Sequence, residues 1–184
     1  MRKNLVAICA VVALGVAILT IPVKSQQDKS KRPSPPASAQ CSLAGGHTIK
    51  TDYSSPRMKG RKVYGDLVPF GQVWRAGANE ATTLVTDTDI LVGGKTVPAG
   101  NYTIFVIPNA TAWELIVQKT TGEWGIPYPP QKDAGELLHA PMTVSSLPGS
   151  VENFTINYAP ADGGCTLQMD WETTRASVKI SPKM

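Results

Sequence analysis

Histidine is nearly missing from this 184-residue chain, which has only His47 and His139, far apart in sequence. Cysteine is scarce too, at three residues. No His, Cys, Asp or Glu spacing resembles a metal site, so neither metal nor cofactor is expected. There is no Gly-x-Ser-x-Gly elbow, which removes the commonest signature of a serine hydrolase. Asp162-Gly163-Gly164 reads as a turn, because neither a helix nor a phosphate-loop lysine follows it. Beyond residue 40 no apolar stripe of helical period persists for ten residues, which excludes helical bundles and α/β folds.

A basic excess is also absent from most of the chain. Six of the 18 Lys and Arg lie before residue 41, with one of the 14 Asp and Glu, so the overall +4 becomes −1 beyond that point. No nucleic-acid partner is expected from that balance.

The N-terminus accounts for the basic excess. Arg2 and Lys3 precede an apolar run from Leu5 to Val23, and Val23-Lys24-Ser25 closes it with a small residue. This is the three-part pattern of a secretory signal over residues 1–25. The run is also close to the ~20 residues that cross a bilayer, so an uncleaved anchor is the alternative and the only membrane contact expected. A periplasmic or secreted location follows from the first case, membrane anchoring from the second. Gln26 to Gln40 carries Pro33, Pro35 and Pro36 among basic residues and no large apolar side chain. It is expected to be a disordered linker. Residues 41–184 then form a single domain, of a length that buries roughly 68% of its unfolded surface. Cys41 and Cys165 both fall in it. In an oxidising compartment they are expected to form a disulfide; the alternative is two separate buried thiols.

Within this domain, strand signals recur at short intervals: residues 48–53, 82–86, 90–92, 95–97, 102–107 and 113–117, then 137–144, 154–158, 165–171 and 176–180. Ile90-Leu91-Val92 and Lys95-Thr96-Val97 flank Gly93-Gly94, whose freedom at positive φ suits a two-residue hairpin turn. Phe154, Ile156 and Tyr158 alternate with Thr155 and Asn157, the period of a half-buried strand. About nine short antiparallel strands predict an all-β fold, either a β-sandwich or a jelly-roll-like barrel. Between them, Thr120 to Gly135 is a loop long enough to have a task or to cover something.

Residues 53–83 do not look like scaffold. Arg57, Lys59, Arg61 and Lys62 surround Gly60, which suits either an anion site or a solvated basic edge that deters sheet pairing. Trp74-Arg75-Ala76-Gly77-Ala78-Asn79-Glu80 then combines an aromatic, a fixed cation, an amide and a carboxylate on a turn of small residues. One expectation is a buried polar network with Arg75 paired to Glu80. The other is a pocket floor with Trp74 as platform and Arg75, Asn79 and Glu80 as polar contacts.

The runs Tyr53-Ser54, Lys59-Gly60-Arg61-Lys62, Leu67-Val68-Pro69-Phe70-Gly71, Val73-Trp74-Arg75 and Gly77-Ala78-Asn79-Glu80-Ala81-Thr82-Thr83 resemble the domain-of-unknown-function 2911 family. Gly93-Gly94-Lys95, Pro98-Ala99-Gly100 with Tyr102, and Trp124-Gly125 extend the resemblance over roughly residues 48–180. It implies an exported bacterial protein and no assigned catalytic role, with Lys59, Gly60, Arg61, Trp74, Arg75, Asn79 and Glu80 as the residues the motif emphasises.

Two functional classes follow. One is a non-catalytic exported domain that binds a small polar or anionic molecule, a glycan or an envelope component through residues 57–80. The other is a hydrolase or lyase with Glu80 as acid or base and Arg75 stabilising negative charge.

Overall fold

The computed structural model describes residues 28–122, 124 and 135–183. The signal or anchor of residues 1–25 and most of the 120–135 loop lie outside them. Among the described residues nine strands form one antiparallel sheet: β1 (Pro36–Ser42), β2 (Thr48–Ser54), β3 (Thr83–Thr86), β4 (Ile90–Val92), β5 (Lys95–Val97), β6 (Gly100–Ile107), β7 (Ala112–Gln118), β8 (Glu136–Ala161) and β9 (Gly164–Pro182). Their order is β1-β2-β3-β6-β7-β8-β9-β4-β5, with no closure between β1 and β5. The fold is all-β and sandwich-like; it is not a closed barrel.

The sandwich arises because β8 and β9 are long and bend. β8 spans 26 residues and β9 spans 19, where four short strands were expected. Leu147-Pro148-Gly149-Ser150 reads as a break, yet the chain continues through it. The register with β9 shifts between Ser146 and Val151 and again between Val151 and Thr155, and Glu172 opposite takes φ 55°. Such bulges let one strand pass from one layer to the other. Near β7 and β4 the hairpin belongs to one layer; beyond the bend it folds over β1 and β2. Tyr158 OH there lies 2.7 Å from Thr51 Oγ1, Ile156 N donates to Tyr53 OH, and Ser55 Oγ donates to Phe154 O.

The core lies between these layers. Ile49, Leu84, Ile104, Leu115, Phe154, Leu167 and Met169 are fully buried there. Cys41 and Cys165 are joined as a disulfide across the layers, at a Cα separation of 6.5 Å. The Gly93-Gly94 hairpin forms as expected, with Ile90 paired to Val97 and both glycines at positive φ.

The linker expectation needs correction. The second half of residues 26–40 is part of the domain, since Pro36–Ser42 pairs along its whole length with β2. Before it, Ser55 N bonds Pro35 O. Small residues read as a linker because they bury little apolar surface. Here backbone pairing to β2 supplies the order instead.

Candidate functional site

Between β2 and β3 the chain makes a 28-residue excursion, residues 55–82, and this positions the site. It returns along β6 as an irregular extension of β3: Trp74 and Val106 exchange both backbone bonds, and Ile104 N donates to Thr82 O. Val73 and Ala81 thereby cover Phe105 and Ile116 on the outer face of β6 and β7. That explains why every residue from Tyr102 to Val106 is buried.

The turn between Trp74 and Thr82 is held from inside. Ala78 N donates to Ser54 O, and Thr82 Oγ1 donates to Ala76 O at 2.7 Å. Gly77 must be glycine, because a Cβ there would sit 2.9 Å from Ser54 O. Ala76 and Asn79 both take positive φ, a conformation asparagine tolerates better than most residues. Asn79 Nδ2 donates to Ser34 O, tying the N-terminal segment to the turn.

Behind the turn stands a cluster of rings. Trp74 stacks on Trp171 with centroids 5.8 Å apart, and Phe154 meets both edge-on. Tyr64 packs edge-on against Trp74, Trp113 and Trp171. Trp171 is buried, so the half-buried Trp74 is the member of the stack that reaches the surface.

There it lines a cleft of about 430 Å³ with Trp171, Arg61, Arg75, Leu67, Val68, Pro69, Gln72, Gly77, Ser34 and their neighbours. That volume lies within the range of small-molecule sites, roughly 300–1,000 Å³. The lining mixes an aromatic and apolar floor with two guanidinium groups, an amide and a hydroxyl. Among the described residues it contains no carboxylate and no imidazole. Exposed Leu67 lies on its wall, and Arg75 lies 5.8 Å from the ring centre of exposed Trp124.

A family model described as a protein of unknown function, DUF2911, matches residues 34–180. This chain belongs to the DUF2911 family. No curated protein and no solved structure matches it. The matched DUF2911 region begins at Ser34, the residue that accepts from Asn79 and lines the cleft.

The residues singled out in this DUF2911 chain divide into three groups. Arg61, Trp74 and Arg75 come together at the cleft. Arg57, Lys59 and Asn79 shape the excursion: Arg57 Nη1 bonds Ser55 O and Oγ, Lys59 N bonds Glu152 Oε1, and Asn79 holds Ser34. Glu80 faces elsewhere, on a smaller cleft of about 160 Å³ with Lys29, Asp52 and Tyr53.

The expected Arg75–Glu80 pair does not form. Arg75 Nη1 donates to Asn79 O at 2.5 Å and to Trp124 O at 2.9 Å. Glu80 accepts instead from Arg32 Nη1 at 2.9 and 3.0 Å and lies 3.0 Å from Lys29 Nζ. Partial burial pushes the Glu80 carboxyl up. A bond to its own backbone N–H, the Arg32 and Lys29 bonds and the Lys29 charge outweigh that and hold it at about 2. Both partners belong to the segment read as linker, so neither was a candidate. Trp171 was missed as well, because alternation along a strand does not say which residues lie at a bend.

Histidine lies away from the cleft. His139 bridges Glu114 at 3.0 Å and Glu136 at 3.1 Å on β7 and β8. The Glu114 bond, working against partial burial and aided by Glu136, holds its imidazole above the usual histidine range.

Glu80 gives a prediction with a definite sign. Glu80→Gln lowers the unfolding free energy at pH 7 by about 1 kcal/mol, the scale of a partly exposed pair. The carboxyl is depressed in the folded state, so its contribution is full above its unfolded pKa and fades as the pH falls through about 2. The gap between parent and variant in urea unfolding should therefore close on acidification. A loss at pH 7 above about 3 kcal/mol would instead match a stranded buried cation.

Proposed function

We propose that this DUF2911 protein is an exported, non-catalytic binding domain for a small polar molecule or glycan, held in the Trp74–Arg75 cleft. The observation that carries this is the composition of the lining. An aromatic platform with donors around it suits recognition of a polar ring, while general acid–base chemistry requires a titratable group within reach of the substrate. Arg61, Arg75, Gln72 and Ser34 are suited to orienting a ligand, and none is suited to exchanging a proton near neutral pH.

The enzymatic alternative has less support. Glu80 and Arg75 line different clefts, and Glu80 is held as a carboxylate by two cations, which leaves it without a proton to donate and makes it a weak base. Export rests on residues 1–25: N-terminal sequencing of protein from the envelope should begin at Gln26, and a retained Met1 would mean an anchor.

Binding and turnover are separable by experiment. The full chain is incubated with a panel of neutral and charged mono- and disaccharides, with thermal shift and product analysis in parallel. We expect stabilisation by some of the sugars with every sugar recovered intact, and loss of that stabilisation in Trp74→Ala. Consumption of a sugar by the parent, and not by Glu80→Gln, would reverse the assignment.

A further inference from the structure

Among the described residues, no lining group compensates the charge in the cleft. Arg61 and Arg75 are its only charged lining residues among them, and both are cationic. Each is fixed by neutral acceptors. Arg61 Nε donates to Met58 O at 3.0 Å and its Nη2 to Arg57 O at 2.8 Å, while Arg75 Nη1 serves Asn79 O and Trp124 O. Carbonyl oxygens orient a guanidinium without cancelling its charge.

Four acids of this region are engaged elsewhere. Glu80 takes Arg32 and Lys29, Asp170 takes Arg175 at 2.5 Å, Glu152 accepts from Lys59 N, and Glu172 accepts from Val63 N. Among the described residues neither Arg61 nor Arg75 has a carboxylate within ion-pairing distance. Arg61 Nη1 and Arg75 Nη2 make no hydrogen bond among those residues either. Two oriented cations with donors to spare, beside an aromatic platform, cost little to organise when an anion arrives. Guanidinium groups match carboxylate and phosphate oxygens well.

We propose that the ligand of this cleft is an acidic sugar, whose ring lies against Trp74 and whose carboxylate or phosphate is received by Arg61 and Arg75. This rests on the binding role assigned to the cleft and adds the ligand's charge.

Isothermal titration of the full chain at low and at physiological salt, with galacturonate, glucose 6-phosphate, galactose and inorganic phosphate, tests it. Galacturonate or glucose 6-phosphate should bind about tenfold or more tighter than galactose, a difference of one decade in the dissociation constant. Which of the two binds identifies the anionic group. The preference should shrink as salt screens it. Arg61→Gln should reduce the charged-to-neutral ratio, and Arg61→Lys should retain part of it. Arg75 also holds the Asn79 carbonyl, so the exposed Arg61 is the cleaner position at which to separate charge from folding. Equal affinity for galactose and both charged sugars would overturn the proposal while leaving the cleft a binding site. Inorganic phosphate binding as tightly as the sugar phosphate would overturn the ring contact. Binding of none of the four would remove the cleft's binding role, and the proposal with it.

Discussion

Replacing Cys41 and Cys165 together with alanine should lower the unfolding free energy by about 2–5 kcal/mol, up to half or more of what a marginal domain possesses. The bridge closes a loop across 124 residues, and the chain-entropy model places so long a loop near the upper end, at about 5 kcal/mol. The fold gives this loop a particular meaning. β1 is made of small residues and pairs only with β2, while β9 beyond the bend lies in the facing layer. The disulfide is the covalent link between the two. Without it the unfolded chain gains freedom and β1 keeps only its ladder to β2 and modest packing. Urea unfolding of the double variant against the oxidised parent reads the loss, and amide exchange should rise first in residues 36–42. A change below about 0.5 kcal/mol, the range of inert surface substitutions, would mean that the ladder alone defines β1.

The second large effect is expected at Trp171. Trp171→Ala should destabilise by about 3–5 kcal/mol, as large-to-small changes at buried aromatics do. The ring is 1% exposed and touches Trp74, Tyr64 and Phe154, and its Nε1 donates to Glu152 O. Truncation leaves a void under the cleft and removes the surface on which Trp74 lies. Trp171→Phe keeps much of the packing but loses the indole donor, so its loss should be clearly smaller. If both variants unfold at the parent's urea midpoint, the aromatic cluster contributes nothing measurable and the cleft has no rigid floor.

Where the sequence spoke clearly, a local physical rule was enough. The Gly93-Gly94 hairpin could be read because two adjacent residues had to accept positive φ. Tyr102 to Ile107 could be read because it is apolar on both faces, although what covers the second face, Val73 and Ala81, emerges only from the excursion. β1 could not be read: Pro-Ala-Ser-Ala-Gln has no β-branched or large apolar residue, and its order comes from a partner strand and from Cys41. β8 looked like two strands because Pro148 and Gly149 usually end one, and only the two-layer bend explains their presence inside.

The site divides in the same manner. Trp74, Arg75 and Arg61 stood out by type and do meet at one cleft. The pairing of Arg75 with Glu80 was the natural guess for two charges five residues apart. It failed because Arg32 and Lys29, some fifty residues upstream, reach Glu80 first. Proximity in sequence says little about charge partners on a turn whose backbone directs the two side chains into different clefts.

A ligand seated on Trp74 at the cleft floor is reported directly by the indole N–H resonances of the four tryptophans. During titration of the full chain with galacturonate or glucose 6-phosphate, the Trp74 signal should shift progressively and saturably. Trp113, buried on the far side of Tyr64 with its Nε1 bonded to Asn109 O, should stay in place. An unmoved Trp74 signal, with saturable changes confined to residues around Glu80, would contradict binding at Trp74 and move the binding site to the smaller cleft.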